Sequence, residues 1–369
     1  MSAEARSTRI EELRRAGVSI WLDTLSRDLL ESGAFAALIA QGVTGATSNP
    51  TIFAKAITAS DRYDQQLNAA VAAGLREPQE LFFELALEDV RRAADLLRPA
   101  YDASGGRDGF VSLEVTPDLA DDTDETITQA VGLWDRLARP NVMIKVPGTE
   151  AGLPAIEALT GRGVNVNVTL LFSLARYAQV VDAFLSGLER RARRGEPLEH
   201  VTSVASFFVS RVDSKVDDLL TEGSDLRGRV AVANARLAYA HYRDRFDGER
   251  WRRLSAAGAR PQRPLWASTG TKDAAYSDVL YVESLVAPGA INTMPQETLA
   301  AFADHGDALA FDPGSDEPTA TLRHAAEAGV DLAAVTAQLE REGVRSFCDS
   351  YREVLACIED KLGATARAL

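Results

Sequence analysis

The stretch VMIKVPGTEAGLPAIEALTGRGVNVNVTL (142–170) opens and closes on short apolar runs, VMIKV (142–146) and VNVNVTL (164–170). Runs of this length, rich in Val and Ile and bounded by Pro-Gly or Gly, read as β-strands. Near-continuous apolarity fits parallel strands covered on both faces. Outward from this pair, similar runs recur at SIWLD (19–23), VTGATS (43–48), FVSLEV (110–115), VASFFVS (204–210), PLWAS (264–268) and AINTM (290–294). Helical patterns fill the gaps. Residues 27–39 place Leu30, Ala34 and Leu38 near one face, with Gly33 weakening the pattern. Residues 79–97 carry a stripe of Leu81, Phe82, Leu85, Val90 and Leu97. Residues 123–139 begin with Asp and Thr caps and acidic residues, and are expected to bury Ile127, Val131 and Trp134. Residues 176–193, 228–247 and 274–285 behave similarly. Eight strands with helices between them predict an α/β fold, a (β/α)8 TIM barrel. An open doubly wound sheet competes for the same elements.

A barrel of this kind uses about 250 residues, and the chain has 369. The surplus lies at the N-terminus, in 50–109, and after the eighth strand. The expectation is one domain over 1–369, with a barrel core over roughly 19–310 and a C-terminal extension of two or more helices over 319–369. The basic run RRARRGEP (190–197) reads as a solvated helix end. The segment DGERWRRLSAAGARPQR (247–263) resembles an insertion and suggests no function of its own.

The formal net charge is -14. That field disfavours nucleic acid and anionic membrane as partners, and any site for a phosphorylated ligand must be built locally. The start, MSAEARSTRIEELRR, carries no apolar signal core, and no run approaches the roughly 20 apolar residues of a membrane span. A cytoplasmic protein is expected, as monomer or homodimer. The two cysteines, Cys348 and Cys357, cannot make a disulfide framework or a Cys-rich metal site. His200, His241, His305 and His324 are widely spaced, so no metal is expected. The nucleotide-binding GxGxxG and Walker A patterns are absent, STGTKD (268–273) being only a loose likeness, as are HExxH and GxSxG.

Polar residues interrupt the strands mainly at their C-terminal ends, where barrels place their chemistry. They are Asp23, Thr47, Ser48, Asn49, Glu114, Lys145, Asn167, Thr169, Ser206, Arg211, Ser268 and Asn292. Lys145 is the sharpest. The chain has five lysines, Lys55, Lys145, Lys215, Lys272 and Lys361, and only this one lies inside an apolar strand. A buried ammonium must be paired or neutralised. Paired with Glu114 or Asp23 it merely fixes the barrel; desolvated to the amine it attacks a carbonyl and forms a Schiff base. Asp23 and Glu114 are then proton carriers, or alternatively caps and salt-bridge partners. Asn49, Asn167 and Thr169 offer neutral donors and acceptors for hydroxyls and a water, although Asn49 also suits a turn. Ser206, Arg211, Ser268 and Lys272 form a second group suited to a phosphate, with ordinary caps and surface charges as the other reading.

The blocks SIWLDTLSRDLL, GVTGATSNPTIF, FVSLEVTPDLADD, NVMIKVPGTEAG, NVNVTLLFSLARY, ASFFVSRVDSKVD, WASTGTKD and INTMPQETL run in order over residues 19–299. Together they resemble the transaldolase family, most of all its longer actinobacterial form. The resemblance implies a TIM barrel and cofactor-free Schiff-base aldol chemistry on sugar phosphates in the pentose phosphate pathway. It implies that Lys145 is the Schiff-base lysine, with Asp23, Glu114 and Thr169 as its catalytic partners. Asn49 and Asn167 match its substrate-positioning residues; Ser206, Arg211 and Ser268 match its phosphate grip. Many members carry Arg where this chain has Gly270, and Lys272 is expected to supply that charge. Related fructose 6-phosphate aldolases tend to have Gln and Tyr where this chain has Glu114 and Phe208. A lyase releasing dihydroxyacetone and a non-catalytic phosphosugar-binding barrel are the alternatives.

Overall fold

The computed structural model describes the backbone of residues 3–368 and the side chains of residues 8–362. Met1, Ser2 and Leu369, counted in the expected 1–369 unit, lie outside the described residues. The chain enters through helix α1 (Ala3–Arg15) and strand β1 (Ser19–Leu22). Short helices α2 (Arg27–Glu31) and α3 (Ala34–Ala40) lead to β2 (Val43–Thr47). Then come α4 (Pro50–Ala59), α5 (Asp64–Ala72), the long α6 (Pro78–Ala103) and β3 (Phe110–Glu114). The regular βα alternation follows with α7 (Thr123–Leu137), β4 (Val142–Pro147), α8 (Gly152–Arg162), β5 (Val166–Leu171), α9 (Leu174–Arg193) and β6 (Ser203–Phe208). Helices α10 (Ser210–Asp217), α11 (Val230–Arg245) and α12 (Glu249–Ala256) precede β7 (Arg263–Ala267). The chain closes with α13 (Leu280–Glu283), β8 (Ile291–Met294), α14 (Gln296–His305), α15 (Glu317–Glu327) and α16 (Leu332–Ala368).

The strands pair in parallel in sequence order, and β8 returns to β1 to close the barrel. Closure decides against the open doubly wound sheet. Each of the eight expected strands is present, with ends within two residues of expectation. The helices depart more. The expected helix 27–39 is two, because Gly33 has φ +79, a left-handed conformation that glycine adopts without penalty. The helix expected over 274–285 shrinks to Leu280–Glu283. Local bonds hold the preceding residues in turns: Thr271 Oγ1 donates to the Ser277 carbonyl at 2.8 Å and Ala275 N–H to Asp273 Oδ1 at 2.9 Å. On α7 the buried face is Thr126, Ala130, Leu133 and Leu137, so Ile127, Val131 and Trp134 are only half-buried. The helix ends where Ala138 turns left-handed (φ +49). The run 190–197 is an ion-paired helix end: Arg190 meets Glu157, and Arg191 and Arg194 meet Glu196.

A buried ion pair fastens the extra helices of 50–109. Arg27 Nε lies 2.6 Å from Asp89 Oδ1, Tyr63 Oη donates to Asp89 Oδ2 at 2.9 Å, and the Arg27 guanidinium stacks over the Tyr63 ring. Removing one member of such a set strands a charge in apolar surroundings. Arg27→Met is therefore expected to lower stability by about 3–5 kcal/mol in chemical denaturation.

Candidate active site

The alternation of strand side chains carries residues two apart into the barrel lumen. Register aligns Glu114 on β3 with Lys145 on β4, and Lys145 with Asn167 on β5. Lys145 is 4% exposed and Glu114 6%. Lys145 Nζ lies 3.2 Å from Glu114 Oε2 and donates to the Ser48 carbonyl, also at 3.2 Å. Burial pushes the Glu114 carboxyl above its ordinary range, while the Lys145 charge pulls it back down. An acid so placed accepts a proton from its neighbour more readily than an exposed glutamate does.

Asp23 follows β1 at the barrel mouth, and its N–H donates to the Met294 carbonyl at 3.1 Å. Its pKa is raised to about 6, chiefly by burial and next by the Glu297 carboxylate; Lys272 and Lys145 work in the opposite direction. The Lys272 charge is thus felt inside the site. Thr169, one pleat above Asn167, is fully buried, and its Oγ1 has no hydrogen-bond partner among the described residues. Such an orphan is a ready seat for a water or a substrate hydroxyl.

Asn167 belongs to a chain of contacts across the lumen. Its Nδ2 donates to Ser112 Oγ at 3.0 Å, and its Oδ1 accepts from Ser206 Oγ at 2.7 Å. Ser206, grouped by sequence with the phosphate residues, therefore sits beside Asn167 on the barrel wall. Asn49 immediately precedes α4. Its Oδ1 caps α4 by accepting from Ile52 N–H at 2.9 Å, and the residue lines a crevice shared with Ser48, Glu114 and Tyr351.

The anion-binding candidates cluster where β6 and β7 end. Arg211 is the second residue of α10, with its guanidinium 5.1 Å from the centre of the Phe208 ring. It has no hydrogen-bond or ion-pair partner among the described residues, and burial lowers its pKa. A desolvated, unpaired guanidinium is a poor stability device and a good anion receptor. Ser268 follows β7 and meets Ser210, the first residue of α10. Its Oγ is 2.9 Å from Ser210 Oγ, and its φ of +56 is a strained value for serine. Lys272 is exposed on the loop that follows. At Gly270 an added Cβ would come within 3.2 Å of Pro295 Cγ, so a side chain there needs Pro295 to give way.

Ser112, Ser210 and Phe347 were not foreseen as site residues. Ser112 and Ser210 lie amid apolar sequence and carry no spacing signal. Phe347 comes from α16, far along the chain, and its ring centre is 5.6 Å from Lys145 Nζ. No helix among the described residues is long and apolar enough to cross a membrane.

A family model described as Transaldolase/Fructose-6-phosphate aldolase matches residues 20–358. Similar proteins, each called a transaldolase, match along nearly their full length. One from Thermobifida fusca (strain YX) is 51% identical, over 96% of this chain and 98% of its own. One from Parafrankia sp. (strain EAN1pec) is 49% identical, over 97% and 99%. A third, Transaldolase 1 of Streptomyces coelicolor, is 49% identical, over 98% and 96%.

Proposed function

The chain belongs to the transaldolase/fructose-6-phosphate aldolase family, and from that premise we propose that Lys145 carries its chemistry as a Schiff base. The activity is that of a transaldolase. It moves a dihydroxyacetone unit reversibly from sedoheptulose 7-phosphate to glyceraldehyde 3-phosphate, giving erythrose 4-phosphate and fructose 6-phosphate. Nothing in the relatives favours the lyase or the non-catalytic reading. The observation that supports the assignment is a single buried lysine at the heart of the barrel, 3.2 Å from a buried glutamate.

The steps follow from the geometry. Lys145 passes a proton to Glu114, and its free amine adds to the ketone carbon of the donor. Glu114 then returns a proton, through a water seated at Thr169, to the departing hydroxyl, and water leaves to give the protonated imine. Asp23 takes the proton of the C4 hydroxyl. The C3–C4 bond breaks, its electron pair flows to the iminium nitrogen, and an aldose phosphate departs. The three-carbon enamine stays on Lys145 until an acceptor aldehyde arrives. Asp23 then protonates the new alkoxide, and hydrolysis of the imine releases the product. Asn49 and Asn167, the latter steadied by Ser112 and Ser206, hold the dihydroxyacetone hydroxyls. Arg211, braced on Phe208, takes the phosphate with Ser268, and Lys272 adds charge from the loop. In this reading the whole chain works as one unit, α15 and α16 included. Its proposed setting is the cytoplasm, where sugar phosphates, as impermeant anions, are held.

Arg211→Ala is expected to raise KM for the phosphorylated donor by roughly 10- to 100-fold, the cost of a lost charge-assisted pair, with a much smaller change in kcat. Steady-state kinetics on fructose 6-phosphate checks it. The activity itself is tested by supplying fructose 6-phosphate with and without erythrose 4-phosphate. Sedoheptulose 7-phosphate forming only with acceptor, and little free dihydroxyacetone without it, supports the transferase. Steady dihydroxyacetone release in both arms contradicts it.

A further inference from the structure

The C-terminal helix α16 lies across the barrel mouth and is tied down around its rim. Lys215 on α10 meets Glu342 at 2.8 Å, and Arg176 on α9 meets Glu340 at 3.5 Å. Thr51 on α4 donates to Ser350 at 2.7 Å, and Tyr351 packs edge-on against Phe82 of α6. Gly343 lets the helix come close to β5, because a Cβ there would stand 2.9 Å from Leu170 Cδ2. One turn further on, Phe347 turns its ring toward Lys145. It is 3% exposed, and its centre is 5.6 Å from Nζ. A helix held from four sides thus delivers one aromatic face to the reacting nitrogen.

We infer that Phe347 is a further functional residue of the aldol site, stabilising the Lys145 nitrogen in its charged stages, above all the iminium, by cation–π attraction. This rests on the Schiff-base reading of Lys145. The cycle puts a cation at Nζ at two stages, the resting ammonium and the iminium on either side of C–C cleavage, with a neutral amine and a neutral enamine between them. Glu114 cannot balance it throughout, because Glu114 takes up and returns protons. The protonated imine keeps one N–H, so it can no longer donate to both Glu114 and the Ser48 carbonyl as the ammonium does. The ring face has no proton to exchange, so it attracts the nitrogen whenever that nitrogen is charged, and it favours the iminium over the neutral species that precede it. Both partners are buried, which strengthens the contact relative to an exposed pair at the same distance. The ring also keeps water from the enamine carbon. If water protonates that carbon, the iminium reforms and hydrolyses to free dihydroxyacetone and Lys145. Phe347 therefore bears on retention of the intermediate as well as on its formation.

The test replaces Phe347 by 4-fluoro- and 3,4,5-trifluorophenylalanine, which keep the ring's shape and drain its face of negative charge. Phe347→Leu and Phe347→Tyr accompany them, with thermal melts on each. The expected result is a graded fall in kcat along the fluorinated series, reaching roughly five- to tenfold. Phe347→Leu should fall at least as far and release several-fold more dihydroxyacetone without acceptor, and Phe347→Tyr should recover most of both. A flat fluorinated series overturns the inference, even if Phe347→Leu fails to fold. Borohydride trapping of the unsubstituted protein with fructose 6-phosphate separates the two failures. Trapping on Lys145 with a flat series removes only the role of Phe347. No trapping on Lys145 removes the Schiff-base reading beneath it.

Discussion

Replacing Lys145 by Met or Arg should abolish transfer, with kcat falling by roughly four orders of magnitude or more, as expected when the nucleophile of a covalent mechanism is lost. The two substitutions differ in what they leave behind. Arginine keeps a positive charge near Glu114 and cannot form a Schiff base, so it separates chemistry from folding. Methionine leaves Glu114 buried without its partner. Burial already raises the Glu114 pKa, and loss of the Lys145 charge removes the influence that lowered it. The carboxyl of Lys145→Met therefore keeps its proton to higher pH in the folded state than in the unfolded one. The folded state binds the extra proton, so the Glu114 contribution to the variant's stability, taken relative to the unsubstituted protein, is greatest in acid. The variant loses that contribution as pH rises through the folded-state pKa of Glu114. Denaturant titrations of the variant and the unsubstituted protein from acid to alkaline pH check the sign.

Asp23→Asn should lower kcat by about 10²- to 10⁴-fold, the span typical of general acid–base catalysis. The pH dependence makes the assignment specific. Asp23 must be ionised to take the hydroxyl proton, and its pKa is raised to about 6. In the unsubstituted protein kcat/KM for the donor should therefore fall as pH drops through about 6, and the residual activity of Asp23→Asn should lack that limb. The same shift carries a stability consequence of opposite sign. An acid whose folded pKa is raised contributes stability that is present below its unfolded value and lost as pH rises through about 6. Near pH 8 the ionised Asp23 thus costs the fold something. Asp23→Asn should be more stable there by roughly 1–2 kcal/mol, after discounting the partial exposure of the group. A less active and more stable variant is the outcome expected of a group placed for chemistry.

The strands were legible because parallel strands buried on both faces must be apolar, and each polar interruption then stands out. Lys145, Glu114, Asn167 and Thr169 are all such interruptions, and all lie in the lumen where the period of two puts them. Helix boundaries were less legible because they turn on single backbone conformations. Gly33 splits one helix, Ala138 ends another, and the side-chain bonds of Thr271 and Asp273 replace much of a third. Residue type placed Ser206 with the phosphate group, since a serine suits either role. Only the bond from its hydroxyl to Asn167 assigns it to the barrel wall. Phe347 lay beyond sequence reasoning for a topological reason. An apolar residue at helical spacing reads as packing, and which face of α16 meets the barrel depends on contacts with α4, α6, α9 and α10 that no local pattern encodes.

A Schiff base on Lys145 is tested most directly by intact-mass analysis after incubation with fructose 6-phosphate and borohydride, followed by peptide mapping. One adduct per chain is expected, the reduced three-carbon unit, on the peptide containing Lys145. Folded protein that binds the sugar phosphate yet leaves Lys145 unmodified would contradict that assignment.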